Sequence, residues 1–290
     1  MILVVGGTGR LGRELVPALT RQGEAVRVLT RDASKAAGPA AVGTGVELMA
    51  GDLRDPASLE RAVAGCTAVV SAAHGFVGGR GAGPEQVDRD GNASLARAAK
   101  AAGIGHLVLI SVHRASAHHP MSLHRMKYAA EQAVRSTGVE HTVLRPSAYY
   151  ENWIEIIGGK LGSGGPAMVF GRGRNPISFV SVVDVAQAVM AGLDDPQLRG
   201  QTLDVGGPEN LTMTRFAERL IEHAGGGGKI KHLPLPVMRT MSVLARPVAP
   251  AFARMAQGGV AMDTVDMTMP AGSAERFASI TFRSLSDVLG

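Results

Sequence analysis

Residues 1–12, MILVVGGTGRLG, decide how the rest of the chain is read. Ile2, Leu3, Val4 and Val5 form a short continuous apolar run, the pattern of a strand buried on both faces. Glycines follow at Gly6, Gly7, Gly9 and Gly12, and an amphipathic run overlaps them at Leu11, Leu15, Val16 and Leu19. Gly7, Gly9 and Gly12 satisfy G-x-G-x-x-G, while Gly6, Gly9 and Gly12 satisfy G-x-x-G-x-x-G. Strand, glycine turn and helix, in that order, give such a match its meaning. The turn lets backbone approach a diphosphate, and the N–H groups of the helix start face the anion. Gly6, Gly7, Thr8, Gly9, Arg10, Leu11 and Gly12 are therefore expected at a dinucleotide.

Outward from that stretch, strands are expected at 25–30, 46–50, 68–71, 107–110, 141–144, 177–180 and 202–205. Helices are expected at 84–102, 183–193 and 212–224, the last capped by Thr212. This alternation spells βαβ units: an α/β fold with a doubly wound parallel sheet. Ligands of such sheets lie beyond the C-terminal strand ends. Those ends carry Thr30-Arg31, Asp52-Leu53, Ala72-Ala73-His74 and Ser111 to His113. Arg31, with Arg10 and Lys35 nearby, suits a ribose 2′-phosphate and favours NADP(H). Asp32, as a ribose ligand, keeps NAD(H) as the alternative. Asp52 either meets the adenine or caps the helix that begins near Pro56, and small Ala72 and Ala73 allow close approach of the cofactor's middle.

The bulk numbers set limits. The chain has 290 residues, 45% hydrophobic and 19% charged, as in a folded globular protein with a sizeable core. No apolar run is long enough to span a membrane, and the first residues read as a strand, so a cytoplasmic protein without a signal is expected. Its single cysteine, Cys66, excludes an internal disulfide and a cysteine-based metal cluster, and is expected to be buried before the fourth strand. Net charge is +5, but the Lys and Arg residues are scattered and aromatics are only 4%, which argues against a nucleic-acid partner. His113, His118, His119 and His124 crowd one region without a carboxylate or cysteine at ligand spacing, so no metal is expected there.

The motif order resembles the atypical short-chain dehydrogenase/reductase superfamily, close to its NmrA-like NAD(P)H-binding group. The residues that carry the resemblance are GGTGRLG at 6–12, LTRD at 29–32, GDLRD at 51–55, Leu109-Ile110-Ser111 and Leu144-Arg145-Pro146. Tyr150-Glu151-Asn152, FVSVVDVA at 179–186 and GGPENLT at 206–212 complete the set. The resemblance implies a Rossmann core over 1–150, with 176–206 returning to it. It leaves 151–175 and 207–290 as a smaller substrate-binding part. It also implies a small-molecule substrate, a monomer or homodimer, and Pro146 beside the nicotinamide.

Active members of that superfamily carry Tyr-x-x-x-Lys. Here Lys127 fits the lysine, but the tyrosine position holds Leu123, and Tyr128 points to another helix face. By resemblance, Lys127 would hold the ribose hydroxyls and Ser111 would bond the substrate oxygen. His124, Tyr150 or a water would give the proton. Tyr149, Tyr150 and Trp153 form either a packing cluster or a wall of the substrate cleft. The methionines of 234–269 either fill a core, the more frequent use, or line an adaptable pocket. Two readings follow: an NADPH-dependent reductase of a carbonyl, quinone or related unsaturated compound, and a non-catalytic NADP(H) redox sensor. Isomerase or dehydratase chemistry fits the superfamily but has no supporting motif.

Overall fold

The computed structural model describes residues 1–32, 45–270 and 272–290. In chain order its elements begin with β1 (Ile2–Val5), α1 (Arg10–Arg21), β2 (Val26–Thr30), β3 (Val46–Ala50) and α2 (Pro56–Val63). Next come β4 (Ala68–Ser71), α3 (Asn92–Ala101), β5 (His106–Ile110), α4 (Ser122–Thr137), β6 (His141–Pro146) and β7 (Ala148–Tyr149). Then follow α5 (Tyr150–Gly158), β8 (Ala167–Phe170), β9 (Pro176–Val180), α6 (Val182–Asp194), β10 (Thr202–Val205) and β11 (Asn210–Thr212). The chain ends with α7 (Met213–His223), β12 (Ile230–Leu233), α8 (Leu235–Leu244), α9 (Pro250–Thr264) and α10 (Leu285–Leu289).

Two compact units result: Met1–Arg145 with Val182–Leu203, and Pro146–Ser181 with Asp204–Gly290. The first is built on a seven-stranded parallel sheet in the order β10-β6-β5-β4-β1-β2-β3. Strand order reverses between β1 and β4, which is where such sheets open a crevice for a ligand. Register aligns the exits, because Val5 lies opposite both Leu29 and Ser71. The apolar run of β1 is buried throughout, and Leu11, Leu15, Val16 and Leu19 of α1 face inward as their spacing requires.

The helix expected over 84–102 is two pieces, a π-helical turn at Glu85–Gly91 running into α3. The Asn92 amide donates to the Asp88 carbonyl at 2.8 Å, and a side chain entering the backbone ladder is a recognised cause of such widening. Cys66 is half-buried rather than buried, its thiol donating to the Ala62 carbonyl; burial pushes its pKa up.

In the second unit β9 pairs antiparallel with β11 and parallel with β7, and β8 pairs with β12. Residues 176–180 thus belong here, not to the returning segment of the Rossmann core. The reason is packing: Phe179 is fully buried against Phe216, with ring centroids 4.9 Å apart, alongside Tyr150. Met238, Met262 and Met267 are buried, so these methionines fill the core. Among the described residues no helix is long and apolar enough to cross a membrane.

Candidate nucleotide site

A groove of about 570 Å³ opens at the strand-order reversal of the first unit. The glycine turn contributes Gly6, Thr8 and Gly9, and the end of β2 contributes Thr30, Arg31 and Asp32. Asp52, Leu53 and Arg54 follow β3, and Ala72, Ala73 and His74 follow β4. Helix α1 has no side-chain cap at Gly9, the arrangement in which a helix start can receive an anion.

The four glycines divide into two jobs. Gly6 has φ +89°, and a Cβ there would lie 2.7 Å from the Ala73 nitrogen, so only glycine lets the exits of β1 and β4 meet. Gly9 faces the groove with Gly6. A Cβ on Gly12 would collide with the Gly7 backbone, and one on Gly7 would lie 2.8 Å from the Val28 side chain. Gly7, Gly12 and buried Leu11 therefore secure helix-to-strand packing and are not among the groove-lining residues. This cradle fits a dinucleotide diphosphate.

At the adenosine side, Arg31 is exposed on the groove wall. Asp52 is already engaged: its Oδ1 accepts from the Arg54 amide and the Arg54 Nε, both at 2.9 Å. Hydrogen bonding from Arg54 holds the Asp52 carboxyl below its usual range. Arg54 also reaches the Gly81 carbonyl at 2.7 Å, tying the glycine-rich loop to the turn after β3. Asp52 does not cap α2; Asp55 does, accepting from the Ala57 amide at 3.1 Å. Arg10 is the first residue of α1 and half-buried, while Pro146 is the first residue of the second unit. Lys35 lies outside the described residues.

Lys127 is 4% exposed, and its ammonium is held inside the first unit by two backbone carbonyls and one carboxylate. Nζ lies 2.8 Å from the Ile110 carbonyl, 3.0 Å from the Ala73 carbonyl and 3.0 Å from Asp88 Oδ1. Asp88 is fully buried in the π-helical turn, and its Oδ2 accepts from the Gly75 amide at 2.8 Å. Asn92 joins Asp88 to Ser71 at the end of β4. This lysine thus fixes the backbone after β4 that floors the groove.

The expected proton donors are placed elsewhere. Ser111 donates to buried Glu131 at 2.5 Å, and Glu131 also takes a two-pronged contact from Arg145 at 2.8 and 2.6 Å. Its single proton spent, the Ser111 hydroxyl faces any other group as an acceptor and not as a donor. His124 is 3% exposed and stacked on His119 with centroids 3.8 Å apart, both its ring nitrogens unpartnered. Burial, then the neighbouring His119 and His113, push its pKa down to about 3. A ring that is neutral at pH 7 is not a general acid. Tyr150 is fully buried in the core of the second unit, its ring 5.7 Å from that of Phe179, and Trp153 packs edge-on against Phe170 and Phe179. Both are packing residues.

His113 and His119 are buried too and not at the surface, and only His118 of the group is exposed. Among the described residues no three His, Cys, Asp or Glu side chains are placed to hold a metal. Sequence reasoning missed Asp88, Asn92 and Glu131. Glu131 had a signal: it falls on the stripe of 124, 127, 131 and 134 that α4 buries.

The model of the NmrA-like family matches residues 1–275. The chain belongs to the NmrA-like family. It is 32% identical over 262 residues to the (4-alkanoyl-5-oxo-2,5-dihydrofuran-3-yl)methyl phosphate reductase of Streptomyces griseus, covering 89% of this chain and 86% of that one. It is 27% identical over 241 residues to the photosystem II assembly factor Ycf39 of Trieres chinensis, covering 83% and 74%. The NADPH complex of an Escherichia coli NADPH-dependent quinone oxidoreductase superposes with a TM-score of 0.79 at 21% identity, over 100% and 98% of the two chains. At that identity the superposition establishes the shared fold.

Proposed function

We propose that this NmrA-like protein is an NADPH-dependent reductase of small electron-poor acceptors, quinones before simple carbonyls, with an active site that lacks the superfamily's tyrosine. The observation that carries the reading is the uncapped start of α1 opening, beside Gly6 and Gly9, into the groove at the strand-order reversal. The reductase activity of the Streptomyces griseus relative supports it. In this reading the α1 start and the glycine turn bind the diphosphate, and Arg31 takes a 2′-phosphate. The Lys127–Asp88 network holds the floor after β4 rigid. A bound reduced nicotinamide supplies a hydride.

The substrate class follows from the missing acid. Neither His124 nor Tyr150 is placed to give a proton, and Ser111 has committed its own. Reduction of a simple ketone leaves an alkoxide, about as basic as hydroxide, and without a positioned acid that product is reached slowly. Reduction of a quinone leaves a phenolate, with a pKa of about 10 like tyrosine, and water can protonate it without help. Cofactor oxidation assayed against quinones, azo compounds, imines and simple ketones tests this. Turnover restricted to simple ketones would overturn the substrate class, and no turnover at all would overturn the reductase.

A second reading, an NADP(H)-binding regulatory protein without turnover, is favoured by the same inward-turned side chains and by the likeness to an assembly factor. It requires the groove and no proton donor.

A further inference from the structure

Of the eight large apolar side chains exposed among the described residues, six lie on α8, α9 and the turn between them. That clustering is not the scatter normal for a protein surface. Val248 in the turn is 84% exposed and Leu244, ending α8, is 70% exposed; Val243, Phe252 and Met255 flank them. Charge is as one-sided as the apolar surface. Residues 223–262 contain no Asp or Glu, but carry Lys229, Lys231, Arg239, Arg246 and Arg254. Arg239 and Arg246 are exposed beside the apolar tip.

The amides of the turn between α8 and α9 are engaged from within. The amides of Ala245, Arg246, Val248 and Ala249 donate to the carbonyls of Met241, Val243, Ala245 and Ala245, and Pro247 and Pro250 have no N–H. The amides of the turn therefore carry little desolvation penalty at a lipid boundary, while the start of α9, which has no side-chain cap, leaves its first amides for headgroup oxygens or water. A second copy of the chain would bring the cations of 223–262 against one another with no Asp or Glu in that segment to relieve them.

We infer that the α8–α9 tip docks the protein on an anionic phospholipid surface. Val248, Leu244, Val243 and Phe252 enter the boundary of the acyl region, and Arg239 and Arg246 lie among the lipid phosphates. An apolar patch framed by cations is the pattern of a peripheral, not a spanning, membrane contact. The absence of a spanning helix is no obstacle to it. The inference uses none of the nucleotide-site argument.

Co-sedimentation of the full chain with vesicles tests it, using phosphatidylcholine alone and phosphatidylcholine mixed with phosphatidylglycerol. The wild type is expected to bind the mixed vesicles, to bind phosphatidylcholine weakly, and to be released by salt. Leu244→Glu with Val248→Glu, and separately Arg239→Gln with Arg246→Gln, are expected to weaken binding on the order of tenfold or more. Both double variants should keep the wild-type circular dichroism, so that a loss is not misfolding. Equal binding to both vesicles, or none to either, would overturn the inference. So would hairpin variants that change the mass at sedimentation equilibrium while leaving vesicle binding intact, which would assign the face to another copy of the chain.

Discussion

Lys127 Nζ and Asp88 Oδ1 lie 3.0 Å apart with both side chains buried, and between them they bond the backbone of Ala73, Gly75 and Ile110. The motif lysine therefore acts first on the shape of the groove floor. Breaking a buried ion pair by removing one partner strands the other charge and costs about 3–5 kcal/mol.

Lys127→Met and Asp88→Asn are each expected to lose stability of that order in denaturant unfolding. Half-buried Tyr128→Phe should stay within about 0.5 kcal/mol of wild type. A Lys127→Met protein as stable as wild type but unable to bind NADPH would return this lysine to the ribose.

Arg31 stands exposed on the groove wall. If it takes a 2′-phosphate, Arg31→Ala should weaken NADPH binding by about 1.5–3 kcal/mol, roughly tenfold or more, and leave NADH nearly unchanged. Calorimetric titration of both cofactors measures this. Equal wild-type affinities would make Asp32 the ribose ligand and remove the preference.

His124 gives a pH signature. Its folded pKa is pushed down to about 3, mainly by burial, against about 6.5 in the unfolded chain. Above about 6.5 both states are neutral and the group contributes no pH dependence. Below it the unfolded chain takes up a proton that the folded one refuses, so stability falls as pH drops, by about 1.4 kcal/mol per unit, until the folded ring protonates too. His119 is shifted in the same direction, burial again first among the causes. Unfolding free energies should therefore decline from neutral to acid pH, and His124→Phe, which keeps a ring against His119, should flatten that decline. A variant with the wild-type slope would place the titration elsewhere.

Much of the fold could be read from residues 1–12, because an apolar run, a glycine turn and an amphipathic helix leave few alternatives to a parallel sheet. The groove exits at Thr30, Asp52 and Ala72 followed from the same logic. What escaped was side-chain pairing across long sequence separations. Lys127 could be placed on a motif, but nothing local links it to Asp88 in a π-helical turn, nor Ser111 to Glu131 in the helix that follows. Tyr150 follows the strand that ends the Rossmann core, where packing and cleft roles read alike; its burial is decided by Phe179 and Phe216, far along the chain. The division of 176–180 from 182–203 failed for the same reason, since β9 takes its partners from β7 and β11.

In the proposed reductase, bound NADPH is oxidised by an electron-poor acceptor without a protein acid. A single-turnover experiment tests it directly: the protein, preloaded with NADPH, is mixed with a quinone and the loss of reduced-nicotinamide absorbance is followed across the neutral pH range. The expected result is oxidation at a rate nearly independent of pH and unchanged by His124→Gln. A rate that falls along the limb of one titrating group and collapses in His124→Gln, or no oxidation at all, would contradict it.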